Sequence, residues 1–276
     1  MKKYIVLLGI LLIFGLYSCD EIQAPYTEDG PIEVDTTARK VLLEEFTGFR
    51  CGNCPEAGEV AHEVVENGNG RIILMSIHAG DLADPTPVRK YNFKTPEGNN
   101  IADYFSLPAT PFGLVNRVSY NGAYLLGPTA WATAAAVEAN KPAYVKLELS
   151  ANYNESIKEI SLDVKMKFLQ QVTENLNVVA YIVEDSIIQY QRDDRQPDVN
   201  VLDYNHMHVL RGSMNGTWGE LISDTTIPPQ SEIDKNIKFT IPDTKDWKPK
   251  DVSIIVTIIN AENKEVQQVE KIKLIK

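Results

Sequence analysis

Cys51 and Cys54 stand three apart in "EEFTGFRCGNCPEAGEV", the stretch from Glu44 to Val60. Two thiols at this spacing support three kinds of chemistry: reversible thiol–disulfide exchange, half of a metal site, or a permanent bridge. A structural zinc site needs four ligands, commonly a second Cys-x-x-Cys or a pair of histidines at suitable spacing. His62 and His78 are the nearest candidates, but His62 sits beside Glu63 on what reads as a solvated helix face. No metal is expected. A permanent bridge suits an exported chain, whose surroundings are oxidising. Yet a bridge across a two-residue gap restricts the unfolded chain little compared with one that closes a long loop. Exchange chemistry therefore outweighs stapling.

The flanking sequence must position the pair. "KVLLEEF" reads as a short buried strand, and Ala57, Val60, Ala61, Val64 and Val65 follow Cys54 at i, i+3, i+4, i+7, i+8 helical spacing. Pro55 suits the first turn of that helix. The cysteines thus fall where a strand hands over to a helix N-terminus, whose unpaired N–H groups and positive dipole end stabilise a thiolate. Arg50 adds a neighbouring cation. Cysteine pKa values in such settings drop from about 8.5 to roughly 3.5–7.5. Cys51, the first of the pair, is expected to be the more exposed and to attack, with Cys54 resolving the mixed disulfide. Downstream, "RIILMSIHAG" has strand length and Thr95-Pro96-Glu97 reads as a helix start. Asn121-Gly122 signals a hairpin turn, and the Ala-rich "PTAWATAAAVEANK" a helix.

Strand, Cys-x-x-Cys, helix and a later Thr110-Pro111 together resemble a thioredoxin fold, and the likeness spans residues 39–141. The resemblance implies that the Thr110–Pro111 peptide bond is cis, packs beside the disulfide and shapes the substrate groove. It also matches Glu45, six residues before Cys51, with the buried acid that carries protons to the resolving cysteine. This sequence has Glu where that family commonly has Asp, with Glu44 adjacent. Its Gly52-Asn53 dipeptide differs from the Gly-Pro and Pro-His pairs of well-known reductants and oxidants, so the direction of electron flow stays open.

After Lys141-Pro142 the pattern changes. "AYVKLELS" and "IKEISLDVKMKF" alternate apolar and polar residues, as strands with one wet face do. "LNVVAYIVE", "IDKNIKFTI", "DVSIIVTIIN" and "VQQVEKIKLI" add further strands without helical runs. The expectation for residues 142–276 is an all-β immunoglobulin-like sandwich following the α/β thioredoxin-like domain. In "VLDYNHMHVLRGSMNGTWGELI", His206 and His208 would share a face if the segment is extended. Such spacing is compatible with a metal, but with no carboxylate or cysteine fixed nearby a polar loop or strand edge is the better account. Arg211 and Trp218 suit either a recognition surface or an interdomain contact.

A net charge of −11 and a pI near 4.9 would repel phosphate backbones, which argues against a nucleic-acid partner. The chain opens with Lys2 and Lys3, then an apolar run from Tyr4 to Leu16. That run is shorter than the roughly 20 apolar residues a membrane-spanning helix needs and has the layout of a secretory signal over 1–18. "Leu16-Tyr17-Ser18-Cys19" resembles a bacterial lipobox, which would make Cys19 the lipidated first residue of the mature chain and residues 19–38 a flexible tether. The lipobox-like start, "EEFTGFRCGNCPE", "LPATPFGLVNR" and "NHMHVLRG…WGE" together resemble the Bacteroidetes outer-membrane lipoprotein family named after a twenty-eight-kilodalton outer membrane protein. That resemblance implies an outer-membrane lipoprotein on the periplasmic or cell-surface face. The expected activity is thiol–disulfide exchange with exported protein or peptide thiols, using Cys51, Cys54, Glu45, Thr110 and Pro111 and no cofactor. The alternative is a surface binding or adhesion module in which Cys51–Cys54 is only structural. Oligomeric state is not legible.

Overall fold

Strand β1 (Val41–Thr47) has all seven residues buried, and so has β2 (Ile72–His78), which pairs with it in parallel. Near-continuous burial is what a parallel pair covered on both faces requires. The computed structural model describes residues 38–275. The expected signal over 1–18, lipidated Cys19 and the tether, Ala38 apart, lie outside them.

Helix α1 (Cys54–Glu66) crosses from β1 to β2 and buries Ala57, Ala61 and Val64, the stripe expected from helical spacing. Helix α2 (Pro96–Tyr104) starts where Thr95 accepts a hydrogen bond from the Gly98 amide at 3.0 Å, a side-chain N-cap. Strand β3 (Phe112–Val115) lies antiparallel to β1, and α3 (Pro128–Ala139) closes this part of the chain. Asn121 and Gly122 both have positive φ, 52° and 86°, at the tight turn between Tyr120 and Ala123.

Beyond Pro142 come β4 (Val145–Asn154), β5 (Glu159–Phe168), β6 (Leu176–Glu184), β7 (Ile187–Arg192), β8 (Asn200–His206), β9 (Val209–Ser213), β10 (Glu220–Leu221), β11 (Glu232–Thr240), β12 (Val252–Asn260) and β13 (Val266–Lys273). Strand order in the main mixed sheet is β13-β12-β6-β9-β2-β1-β3, with β10 beside β6. The pattern change at Lys141-Pro142 coincides with the passage from α3 to β4, but the sheet itself continues across it. The join is parallel, Ser76 opposite Val209, with the Ser76 amide donating to the His208 carbonyl at 2.9 Å. A second antiparallel sheet, β11-β5-β4, stacks on one face of β6 and β12, burying Ile160, Leu162, Val164, Val178, Ile254 and Val256 in one core. On the opposite face of β6 and β12, Val179, Val183, Ile255 and Ile259 pack with Leu42, Met75 and Ile101. Covered on both sides, β6 and β12 are apolar almost throughout, whereas β4 and β5 alternate.

Arg117, 1% exposed, donates from Nε and Nη2 to the two carboxylate oxygens of Glu44 at 2.8 and 2.7 Å. Its Nη2 also donates to the Tyr181 hydroxyl at 3.1 Å, and the Trp218 ring centroid lies 5.4 Å away. Burial alone would favour neutral Arg117, but Glu44 and Tyr181 outweigh it and hold the guanidinium protonated. Removing one partner strands the other charge, which costs about 3–5 kcal/mol. Glu44→Gln should therefore lower unfolding free energy by that order in a urea titration. Glu44→Leu combined with Arg117→Met, which removes both charges, should cost less than Glu44→Gln alone.

Candidate functional site

The Cys51–Cys54 pair is a disulfide with its Cα atoms 5.4 Å apart. It lies, as expected, between a strand end and a helix start: α1 begins at Cys54 with Pro55 in its first turn, and the preceding Asn53 provides no side-chain cap. Tight turns hold the loop, with the Cys51 amide donating to the Gly48 carbonyl at 2.9 Å. The Arg50 guanidinium donates to the Asp81 carbonyl. One expectation fails here: Cys51 is not the exposed partner, for Cys51 and Cys54 are 2% and 3% exposed. Across the loop, Cys51 Sγ lies 3.7 Å from the Thr110 carbonyl oxygen, and the Thr110–Pro111 peptide is cis. Thr110 and Pro111 are half-buried.

Adjacent residues of a strand point to opposite faces, and β1 uses this to separate its two acids. Glu44 faces Arg117, while Glu45, 4% exposed, faces α1, where a side chain on Gly58 would come within 3.6 Å of its Oε1. Glu45 accepts a hydrogen bond from Ser76 Oγ at 3.2 Å. Behind the disulfide is a small cavity of about 80 Å³, lined among others by Glu45, Cys54, Ser76, His78, Tyr204 and His206. Burial pushes the Glu45 carboxyl up to about 7, and the Ser76 hydrogen bond offsets only part of that. Cys54 thus lines the same cavity as an acid poised to gain or lose a proton near neutral pH.

All four histidines of the chain gather around this cavity or its rim. His78 stacks on Phe93 with ring centroids 4.2 Å apart, and His206 sits 5.4 Å from His78 and 4.6 Å from Phe93. Burial drives His206 down to about 4 and His78 well below the ordinary histidine value, so both are neutral at pH 7. His206 and His208 do not share a face. His208 has φ 57°, which breaks the strand alternation and turns it to Asp185, with Nδ1 2.9 Å from the carboxylate. His62 does not simply face water either; it is half-buried with its ring 5.1 Å from that of His208. Among the described residues, no group of three or more His, Cys, Asp or Glu is arranged to hold a metal ion.

Arg211 and Trp218 are internal contacts. Arg211 donates to the Tyr91 hydroxyl and to Asp246 and lies 3.3 Å from Glu184. Trp218 packs against Tyr104 and Arg117. What sequence reading missed is the segment that bonds to the cysteine loop. Gln191, 2% exposed, donates from Nε2 to the carbonyls of Gly48 at 3.3 Å and Cys51 at 3.0 Å. The Asp194 amide donates to the Gly52 carbonyl at 3.0 Å, and a side chain at position 52 would run into the Asp194 carboxylate. Arg195 forms a two-point ion pair with Glu59 on α1 at 2.7 and 2.9 Å. In sequence these residues form "QRDDRQPD", a charged, proline-bearing run that reads as an ordinary loop.

A family model described as outer membrane protein Omp28 matches residues 98–276, a span that begins after both cysteines. Among solved structures, HBP35 of Porphyromonas gingivalis is similar with a TM-score of 0.61 at 17% identity, covering 86% of this chain and 76% of that one. A protein of Agrobacterium tumefaciens matches with a TM-score of 0.51 at 14% identity, over 86% of this chain and 95% of its own. At these identities the likeness is one of fold. A domain of the outer membrane lipoprotein Omp28 from Porphyromonas gingivalis matches 48% of this chain and 89% of its own at 21% identity, with a TM-score of 0.34. No curated protein matches. Among the described residues no helix is long and apolar enough to cross a membrane.

The raised Glu45 value has a definite sign in stability. Between about 4.5 and 7 the folded chain holds a proton that the unfolded chain has released, so this group destabilises the fold progressively as pH rises through that window. The full effect is about 3 kcal/mol. In paired urea titrations at pH 4 and pH 8, Glu45→Gln should gain stability relative to wild type by roughly that amount at the higher pH. A difference independent of pH would show that Glu45 titrates normally.

Proposed function

The chain belongs to the Omp28 outer membrane protein family and so is associated with the outer membrane, and we propose that it is a lipid-anchored thiol–disulfide oxidoreductase acting on exported proteins. The anchor in this reading is Cys19. The observation that carries the proposal is that Cys54 and buried Glu45 line one polar cavity. A permanent staple has no use for a carboxylic acid with a pKa of about 7 on that cavity. The parallel β1/β2 pair joined through α1, the antiparallel β3 that follows cis Pro111, and α3 support reading residues 39–141 as thioredoxin-like. The stack of β4, β5 and β11 on β6 and β12 supports an immunoglobulin-like reading of residues 142–276.

The chemistry is a two-electron exchange. In the oxidised protein a partner thiolate attacks Cys51 Sγ, the Cys51–Cys54 bond breaks, and Cys54 leaves with the electron pair and takes a proton from Glu45. The partner's second thiolate then attacks the partner sulfur joined to Cys51, that bond breaks with Cys51 leaving as a thiolate, and the partner departs as a disulfide. Run in reverse, the Cys51 thiolate attacks a partner disulfide and expels one partner thiolate, Glu45 accepts the Cys54 proton, and the Cys54 thiolate attacks Cys51 Sγ and expels the second. The half-buried Thr110 carbonyl beside Cys51 would pair with an extended partner segment.

Burial of both cysteines favours a second reading, a surface binding or adhesion module in which the disulfide is permanent. A redox titration of the soluble chain from Asp20, in glutathione or dithiothreitol buffers with alkylation and mass readout, separates the two. The oxidoreductase reading expects a reversible midpoint between about −120 and −270 mV, and a pair still oxidised below about −300 mV means a staple. Under the first reading Cys54→Ser should also trap mixed disulfides with envelope proteins, and Cys51→Ser should trap none. Loss of both cysteines would leave binding intact under the second.

A further inference from the structure

Strands β6 and β9 pair with each other in the main sheet, and between them the chain leaves that sheet as an arm, the separate β7–β8 pair. The arm is pinched at its base, where the His208 amide donates to Asp185 Oδ1 at 2.8 Å and both Ser186 and His208 have positive φ, 62° and 57°. Its stalk is packed: Ile187 shares a buried cluster with Phe49, Phe93 and Val209, and His206 is buried beside His78 and Phe93. Further out the construction changes. The β7–β8 register shifts between Gln189 and Gln191, a bulge of the kind that bends a strand pair and redirects what lies beyond it. What lies beyond is the tip, residues 191–199, laid across the Cys51–Cys54 loop.

Polar contacts hold the tip. The Arg192 amide donates to the Phe49 carbonyl at 2.8 Å and the Asp194 amide to the Gly52 carbonyl at 3.0 Å, so the tip occupies backbone acceptors of the cysteine loop on both sides of Cys51. Gln191 caps two further carbonyls, and Arg195 ties the tip to Glu59. Residues 194–199 are all exposed. A segment fastened by a few hydrogen bonds and a solvent-exposed ion pair opens far more readily than one fastened by a core. We propose that this tip is a gate, closed here over the Cys51–Cys54 bond, which must lift before any partner can exchange with the pair. It regulates the site assigned above and rests on that reading for its purpose. A partner's extended segment would compete with the tip for the Phe49 and Gly52 carbonyls, so the gate opens in favour of peptide-like partners that replace the bonds it gives up.

The test follows reduction of the full soluble chain by tris(2-carboxyethyl)phosphine, with timed alkylation and mass readout of Cys51 and Cys54. The phosphine attacks one sulfur and ends as its oxide, with oxygen from water, leaving two thiols. Because that step is irreversible, its rate reports access whatever the pair's potential. Hydrogen exchange at the Arg192 and Asp194 amides reports lifting of the tip independently. Gln191→Ala should speed reduction about tenfold by freeing the buried carbonyls, and Arg195→Ala about twofold to fivefold, with both amides exchanging faster in the same order. If the amides exchange faster while reduction keeps its wild-type rate, the tip does not control access and the proposal falls. It falls equally if Arg195→Ala, a surface change that leaves the core untouched, alters neither rate. A potential below about −300 mV alongside faster reduction in the variants would overturn the oxidoreductase reading and leave the gate as a shield over a permanent bridge.

Discussion

Strand β1 carries two neighbouring carboxylates, Glu44 and Glu45, into a sheet buried on both faces, and the surroundings of the disulfide follow from how each is accommodated. Burying an unpaired carboxylate is expensive enough that the group either finds a cation or gives up its charge. Strand alternation sends the two acids to opposite sides, where they meet opposite solutions. Glu44 is paired at two points with Arg117, whose guanidinium also reaches Tyr181 in β6, so this ion pair ties β1 to a strand from the other half of the chain. Glu45 has no cation, only the Ser76 hydroxyl, and holds its proton to about pH 7. The neutral histidines beside it matter for the same reason: a charged His78 or His206 would favour ionised Glu45 and pull its pKa down. Burial keeps both neutral, so the acid stays poised.

Much of this was legible in sequence where the signal is local. Helix α1 sits on the stripe that the spacing of Ala57, Ala61 and Val64 predicts, Thr95 caps α2, the Asn121-Gly122 turn has the two positive φ values its residues favour, and β4 and β5 alternate as one-sided strands do. The position of Cys54 at a helix start follows from the same local rules. Reading Glu45 rather than Glu44 as the acid near the cysteines came from resemblance, and the physical basis is visible only once β1 is known to be buried on both sides. Arg117, which decides the matter, stands far along the chain with no pattern linking it to Glu44.

The illegible part is long-range. Apolar runs such as "DVSIIVTIIN" differ from "IKEISLDVKMKF" in lacking alternation, and the structure gives the reason: β12 and β6 face a core on each side, one shared with β5 and the other with β1 and β2. Periodicity reports how many faces of a strand are covered, and not by which segment. The two-residue spacing of His206 and His208 misled for a related reason, because the left-handed φ at His208 is set by the return of the arm into β9 and not by its neighbours in sequence.

The arm links these observations. It departs from β6, on which the second sheet stacks, and returns into β9, which pairs with β2, so the segment bonded to the cysteine loop is held there by one sheet that runs through both halves of the chain. The cavity depends on the same arrangement: Glu45, Cys54, Ser76 and His78 form one wall, and Tyr204 and His206 on β8 form the other. Glu45, 4% exposed, is therefore enclosed in part by side chains from the other half of the chain. The β-rich half supplies Tyr204 and His206 to the cavity and the tip that bonds to the carbonyls of the cysteine loop, and both are consequences of where β9 joins β2.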